Sequence, residues 1–177
     1  MSSDEHAAKK SILNLYGLFG VSLILCVLPF VSAAILCVMF FVILLVAAYY
    51  MRGKSEEHSL LHNHTTHIIR TIWIGGLVAS ASTVCASFYM LANIDYQPFE
   101  PCASNLQLVG IEQMGFTDLY NVIESCVDDF ISVNRTVLIV AVMIAALAPL
   151  GYMGYRFIKG AARAMKGYRL ANPKSWL

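Results

Sequence analysis

Long uninterrupted runs of apolar residues dominate the pattern along the chain. Residues 11–51 include no charged side chain over 41 positions, about twice the ~20 residues that a helix needs to cross a bilayer core of ~30 Å. Pro29 lies near the middle of this run, and proline breaks a helix because it lacks a backbone N–H and clashes with the preceding turn. The run therefore predicts two spans, at about 12–28 and 33–50, that form an antiparallel hairpin.

Two further apolar runs, at 69–92 and 137–155, predict a third and a fourth span. In lipid the backbone polar groups must be satisfied internally, so only helices or closed barrels can cross. The runs are continuously apolar and do not alternate, which excludes barrel strands. The fold prediction is an all-α integral membrane protein with four transmembrane helices in two hairpins, plus a small extracytoplasmic loop subdomain. The polar segments between and around the spans are 1–10, the histidine-rich 52–68, the loop 93–136 and the basic tail 156–177.

Composition agrees with a chain that faces lipid. Apolar residues make up 58% of the sequence and charged residues 13%, against about 45–50% and about 25% in soluble domains. A single small core cannot bury this surplus. No basic face resembles a phosphate groove, so nucleic acid is not an expected partner.

The charged residues are strongly segregated, which predicts the orientation of the spans. With the N-terminus inside, 11 of the 12 basic residues lie on the inner side, and Arg135 is the exception. Seven of the 11 acidic residues lie in the loop 93–136. The positive-inside rule therefore places both termini in the cytoplasm and this loop on the opposite side.

The outer loop includes two cysteines and a predicted helix at about 116–131, which is weakly amphipathic. In an oxidising compartment, a disulfide between Cys102 and Cys126 would close a 25-residue ring and stabilise the loop by about 3 kcal/mol. Two unpaired thiols, or a bond to a partner, are the alternatives. The other cysteines lie within predicted spans and are interpreted as small apolar fillers: Cys26, Cys37 and Cys85.

Four histidines within ten residues are the main candidates for chemistry: His58, His62, His64 and His67. On a helix they form two pairs, each about one turn apart, and such spacing suits zinc, copper or haem. No cysteine or carboxylate accompanies them at a fixed spacing. The alternative interpretation is a polar helix at the membrane surface that leads into the third span. No cofactor is predicted.

Small residues along the third span form a helix-packing pattern. Spacings of four between small residues let helix backbones approach closely in lipid, either within one chain or between subunits. The residues of this pattern are Gly75, Gly76, Ala79, Ser80 and Thr83.

Several basic residues near the inner ends of the spans are expected to contact anionic phospholipids. Long basic side chains extend from span ends toward lipid headgroups, and a short basic interfacial helix in the tail fits an anionic surface. The residues assigned to headgroups are Arg70, Arg156, Lys159, Arg163 and Lys166.

Signatures of catalysis are missing from the sequence. It contains no Gly-x-Ser-x-Gly, no His-Glu-x-x-His and no phosphate-binding glycine loop, so an enzyme is not expected. Apart from Asn14, the first, second and fourth spans lack the charged and amide groups that a polar pore would need, which argues against an ion channel.

Two short segments resemble a family of bacterial four-span membrane proteins of unknown function. That family is similar to the twenty-kilodalton Tic component of the chloroplast inner envelope. The segment 63–75 matches its central motif at His64, Arg70, Thr71, Trp73 and Gly75, whereas Asn63 and Ile72 depart from it. The segment 155–160, with Pro173 later, is similar to its C-terminal signature. The resemblance implies four spans and a bacterial inner membrane, but no activity, and the long outer loop is unlike that family.

These observations favour a non-catalytic accessory or structural subunit of a larger inner-membrane complex, with other membrane proteins as partners. A component of a membrane translocation or transport system is the second hypothesis, and it rests on the resemblance. A metal- or haem-binding membrane protein that uses the four histidines is the third.

Overall fold

Four long helices make up the protein in the computed structural model, which describes residues 3–100, 104 and 115–176. They are α1 (Ser3–Val27), α2 (Val31–Lys54), α3 (Leu60–Asn93) and α4 (Phe116–Met165). Each contains a segment that is long and apolar enough to cross a membrane. The prediction of an all-helical chain with four such helices is confirmed for this part of the chain.

The first two helices form the predicted hairpin, and the break falls at Pro29. Helix α1 ends at Val27, and the backbone N–H of Leu28 donates to the carbonyl of Leu25 at 3.3 Å. Phe30 is extended, with φ −124° and ψ 135°, and α2 begins at the next residue. The missing N–H of proline thus separates two spans that hydropathy alone would merge.

Helix α3 begins well before the third apolar run. It extends from Leu60 to Asn93 as one helix of 34 residues, so the histidine-rich segment and the span are continuous. Ser59 Oγ accepts a hydrogen bond from the backbone N–H of His62 at 3.1 Å and caps the helix start. Thr65 Oγ1 donates to the carbonyl of Leu61 at 2.8 Å, so this hydroxyl is satisfied within the helix.

Helix α4 is also longer than the fourth apolar run. It contains 50 residues and passes through Pro149 without ending, so the predicted loop helix, the span and the start of the tail are continuous. The helix ends at Met165, and Gly167 follows with a φ of +71°. The backbone N–H groups of Gly167 and Tyr168 donate to the carbonyls of Ala164 and Arg163, both at 3.0 Å, which is the Schellman arrangement that glycine favours. The tail beyond this point is not helical in the described residues.

The chain divides into two compact units. The first unit is Met1–Ser80 with Ala148–Leu177, and the second unit is Ala81–Leu147. The core of the first unit begins on one face of α1, where apolar residues recur at helical spacing. The Phe19 ring lies 5.9 Å from the Phe41 ring and 5.6 Å from the Phe157 ring. The buried core residues are Ile12, Leu15, Tyr16, Phe19, Leu44, Ala48, Ile68, Ile69 and Ala164.

In the second unit, Asn134 of α4 holds the chain that follows α3. Its Oδ1 accepts from the backbone N–H of Asp95 at 2.7 Å, and its Nδ2 donates to the Asp95 carbonyl at 2.9 Å. The rings of Phe99 and Phe130 lie 4.6 Å apart beside it. Cys126 is buried, but Cys102 lies outside the described residues. The predicted disulfide between these cysteines and the extracytoplasmic subdomain therefore stay predictions.

Candidate functional site

A fully buried arginine is the centre of the first unit. Arg156 on α4 is 0% exposed. Its Nε donates to Thr71 Oγ1 at 2.9 Å, and its Nη1 donates to the Ser175 carbonyl at 2.7 Å. Its Nη2 lies 2.8 Å from Nδ1 of His67. We call Arg156, His67, Thr71 and Ser175 the arginine network; the acceptors that the described residues offer to this guanidinium group are all neutral.

The hydrogen bonds of His67 assign its tautomer. Its Nε2 lies 3.2 Å from the backbone carbonyl of Arg156, which only accepts, so Nε2 carries the proton. Its Nδ1 therefore is free to accept from the guanidinium group. This neutral imidazole binds both the side chain and the backbone of Arg156, and neither ring nitrogen is left open.

His64 occupies a second buried chain of hydrogen bonds. Its Nε2 lies 3.1 Å from the backbone carbonyl of Tyr168, and its Nδ1 lies 3.1 Å from the hydroxyl of Tyr16. The same reasoning makes Nε2 the donor to Tyr168, while Nδ1 accepts from the tyrosine hydroxyl. The two rings meet edge to face at 5.7 Å. This chain connects α1, α3 and the tail.

Asn63 completes the attachment of the tail to α3. Its Nδ2 donates to the Leu170 carbonyl at 3.0 Å, and its Oδ1 accepts from the Leu170 N–H at 2.9 Å. Together with the bonds at Tyr168 and Ser175, this pairing replaces the backbone hydrogen bonds that the non-helical tail lacks. Such replacement is required because buried backbone groups must be paired.

Helical spacing explains why these side chains converge. His64, His67 and Thr71 are separated by three and four residues, which places them on one face of α3. Arg156 and Gly160 lie one turn apart on α4. A Cβ at Gly160 would lie only 2.7 Å from Cζ of Tyr16, so glycine is what allows the tyrosine ring to reach His64.

The four candidate histidines do not form one cluster. His64 and His67 are buried with both ring nitrogens partnered, as described above. His58 is exposed with a positive φ of 72°, and His62 Nδ1 lies 3.5 Å from Ser55 Oγ. The described residues contain no group of three or more histidine, cysteine, aspartate or glutamate side chains placed to hold a metal ion. Metal or haem binding stays a prediction.

The basic residues assigned to lipid headgroups lie in different surroundings. The assignment of Arg156 is wrong because this side chain is fully buried and bonded within the protein. Arg70 is partly buried, and its Nε has no hydrogen-bond partner. Lys159 is partly buried with Nζ 5.4 Å from the Tyr155 ring centroid. Arg163 and Lys166 are exposed, and their contact with lipid stays a prediction.

One glycine of the small-residue pattern on α3 packs closely against another helix inside the first unit. A Cβ at Gly75 would lie 2.6 Å from Cε of Met153 on α4, whereas a Cβ at the neighbouring Gly76 would meet nothing within 4 Å. Ser80 and Thr83 are exposed, and Ala79 is partly buried. Packing of the remaining small residues against another helix stays a prediction.

Two cysteines of the first hairpin are bonded to each other, which corrects their interpretation as separate apolar fillers. The sulfurs of Cys26 and Cys37 form a disulfide, with the two Cα atoms 5.5 Å apart. The bond joins the end of α1 to the first turns of α2. Cys85 is a free, exposed thiol.

Several residues of the site were missed by the sequence analysis: Tyr16, Asn63, Thr71 and Gly160. One signal was present, because Asn63, His64, His67 and Thr71 are polar residues at helical spacing next to an apolar run. No pattern indicated that Arg156, 85 residues from Thr71 and 89 from His67, binds that face.

Comparison with protein-family models, curated proteins and solved structures finds no match to this chain.

Proposed function

We propose that the protein is a non-catalytic accessory or structural subunit of a larger complex in the bacterial inner membrane. The observation that carries this proposal is the contrast between Gly75 and Gly76 on α3. Met153 packs closely on Gly75, but the space beside Gly76 is open. Ser80 lies one turn further along, is exposed, and donates its hydroxyl to the Gly76 carbonyl at 2.9 Å.

The open surface at Gly76 and Ser80 is suited to packing against a second transmembrane helix. Lipid drives helices together only weakly, so association depends on close backbone approach at small residues. The Ser80 hydroxyl is satisfied within its own helix, so it needs no partner on a second helix. The residues of the site also support a structural role, because the buried histidines and Arg156 bind one another and the tail.

Matched glycine substitutions test the proposal. Gly76→Leu adds a large side chain to the exposed small-residue face, and we expect the complex isolated in mild detergent to dissociate. Gly17→Leu makes the same change on α1, where the space is also open, and we expect it to leave the complex intact. Native mass spectrometry measures both outcomes. A lone wild-type monomer in several mild detergents would refute the proposed subunit role.

The disulfide supports the orientation in which both termini lie in the cytoplasm. Disulfides form in oxidising compartments and are rare in the cytoplasm. Cys26 and Cys37 lie at the end of the hairpin that carries the turn at Pro29, and the basic residues independently assign that end to the outside. A maleimide mass tag should label these two cysteines in intact cells only after reduction. Labelling only after lysis would reverse the orientation, whereas labelling of intact cells without reductant would refute the disulfide.

A component of a membrane translocation system is the second candidate. Its specific support is that the two segments on which the family resemblance rests pack against each other, through His67 and Thr71 on one and Arg156 on the other. A translocation path requires water along one face of a span. Single cysteines placed along α3 should then react with a membrane-impermeant thiol reagent at every third or fourth position, and a uniform lack of reaction rejects this candidate.

A further inference from the structure

A basic cavity lies in the first unit between the start of α3 and the tail. Its volume is about 520 Å³, and its walls come from 57–66 and 163–174. The tail forms one wall because Asn63 holds it at Leu170. The cavity is thus a product of the same contacts that fix the tail.

Positive charge predominates around the cavity. Arg163, Arg169 and Lys174 line it, and Glu57 is the single carboxylate among the lining residues. Within the described part of the chain, the one hydrogen bond that these three basic side chains make goes from Arg163 Nη1 to the Arg169 carbonyl, at 3.1 Å. Most of their donors are therefore available to a ligand.

Thr66 is one of the residues that line the same cavity. Thr66 is 3% exposed, and its Oγ1 has no hydrogen-bond partner. Other threonine hydroxyls of α3 donate to a carbonyl one turn earlier, as Thr71 does to His67 at 2.7 Å. A buried polar atom without a partner is costly, so Thr66 marks a place where an acceptor from outside the chain would be favourable.

We propose that this cavity binds a phosphate group, carried either by an anionic lipid headgroup or by a soluble phosphate compound. Guanidinium groups bind phosphate oxygens with paired, charge-assisted hydrogen bonds, and a threonine hydroxyl adds a further donor. A smaller cavity of about 260 Å³ is lined by Lys159 and Arg163 and shares residues 170–172 with the larger one. Arg163 borders both cavities, which makes it the central contact for the anion.

The site differs from general attraction to a charged membrane surface. The cavity includes Arg169, Lys174 and Thr66, none of which is among the residues assigned to headgroups from the sequence, and Lys166 is not among its lining residues. If the anion binds in the cavity, its affinity depends on which basic residues are removed. If it is attracted to the charged surface in general, its affinity depends only on how many basic residues are removed. The proposal is also independent of the subunit role proposed above.

The main test compares two double variants that remove equal charge. Arg163→Gln with Arg169→Gln removes two cavity donors, and Lys9→Gln with Lys10→Gln removes two basic residues outside it. Purified protein in neutral detergent is titrated with phosphatidylglycerol and followed by native mass spectrometry. We expect at least about a tenfold loss of affinity for the cavity variant and little change for the control. Equal affinities of the two variants would overturn the proposal and leave the cavity to an acidic partner segment.

Inorganic phosphate distinguishes the two sources of the group. If it displaces phosphatidylglycerol, and if its own binding falls in the cavity variant, the site recognises the phosphate itself. If the lipid binds with the same dependence on Arg163 and Arg169 but resists displacement, the ligand is a lipid headgroup. Both results support a phosphate site in this cavity.

Thr66→Val provides a second variant that leaves the charge unchanged. Valine keeps the shape of threonine and removes the unpartnered hydroxyl, so we expect the folded protein to be as stable as the wild type or slightly more stable. Phosphate affinity should fall several-fold because one donor is lost. Unchanged affinity would place the anion outside the cavity and overturn the proposal.

Discussion

The two compact units bury very different interiors. The first unit encloses a guanidinium group, two neutral histidines, an asparagine and several threonines next to its apolar core. The second unit buries few of its described residues: Ala86, Cys126, Asn134 and Ala141. The other described side chains of this unit are exposed or partly buried. The first unit therefore buries many polar side chains that bond to one another or to the backbone. The described part of the second unit relies on one buried asparagine, Asn134, which binds the backbone of Asp95.

The two units differ in buried polar side chains because their backbone segments differ in how many hydrogen-bond partners they need. The first unit attaches a non-helical tail, whose backbone groups lack helical partners and need side chains to satisfy them. The second unit consists mainly of helix, where the backbone satisfies itself. In the described chain just after α3, Asn134 supplies partners for the backbone N–H and carbonyl of Asp95.

Removing Arg156 should have the largest effect on stability. Arg156→Leu leaves Nδ1 of His67, the Thr71 hydroxyl and the Ser175 carbonyl without their donor, and we expect a loss of about 3 kcal/mol or more. The measurement is urea unfolding in neutral detergent, followed by circular dichroism. Arg135→Leu in the second unit removes an exposed charge and should have little effect. Equal losses would show that the buried network is no more important than a surface arginine.

Two glycines of α4 should respond to alanine with opposite signs. At Gly160 an added Cβ would meet the Tyr16 ring, so Gly160→Ala should cost about 2 kcal/mol through overpacking. At Gly154 nothing lies within 4 Å, and Gly154→Ala should stabilise the helix by about 0.5–1 kcal/mol. The shift of the unfolding midpoint measures both. Stabilisation by both substitutions would contradict the close approach of Tyr16.

Loss of the hydrogen bonds between Asn134 and Asp95 in the second unit should have a smaller and more local effect on stability. Asn134→Ala removes both hydrogen bonds to Asp95, and we expect a loss of about 1 kcal/mol. Hydrogen exchange of the Asp95 amide should become faster, while the amides of the first unit keep their rates. Ser132→Ala, at an exposed position nearby, is the control. Faster exchange in the first unit would mean that the two units do not open independently.

The smallest loss of stability is expected from a change at Tyr16, which binds His64 in the first unit. Tyr16→Phe deletes one hydroxyl and its bond to His64, and hydrogen bonds between membrane helices contribute about 0.6 kcal/mol on average. The same unfolding measurement applies. A loss as large as that of Arg156→Leu would make Tyr16, and not the arginine, the main support of the network.

The sequence predicted that four helices form, but it did not predict the full extent of each helix. Four apolar runs and one proline predicted four helices and the break at Pro29. A polar helix before the third span and a loop helix from about 116 were predicted, but it was not predicted that each would be continuous with its span, as α3 from Leu60 and α4 from Phe116 are. Polar residues extend both helices beyond the apolar runs, because side chains such as Thr65 and Asn134 find partners that hydropathy does not record.

The site was predictable only in part. His64 and His67 were recognised as unusual, but as possible metal ligands. Arg156 was assigned to lipid headgroups because it begins a basic tail. Its burial depends on Thr71 and His67, which lie 85 and 89 residues away, and no local pattern encodes such a pairing.

The sequence by itself determined that this chain forms four apolar helices, because membrane-spanning length and backbone hydrogen bonding are local properties of a run of residues. The tertiary structure alone decided which polar groups meet: the guanidinium group with a neutral imidazole, the tail with Asn63, and Cys26 with Cys37. The physical reason is that a buried polar group must find a partner, and the fold, not the spacing in sequence, determines which partner lies within hydrogen-bonding distance.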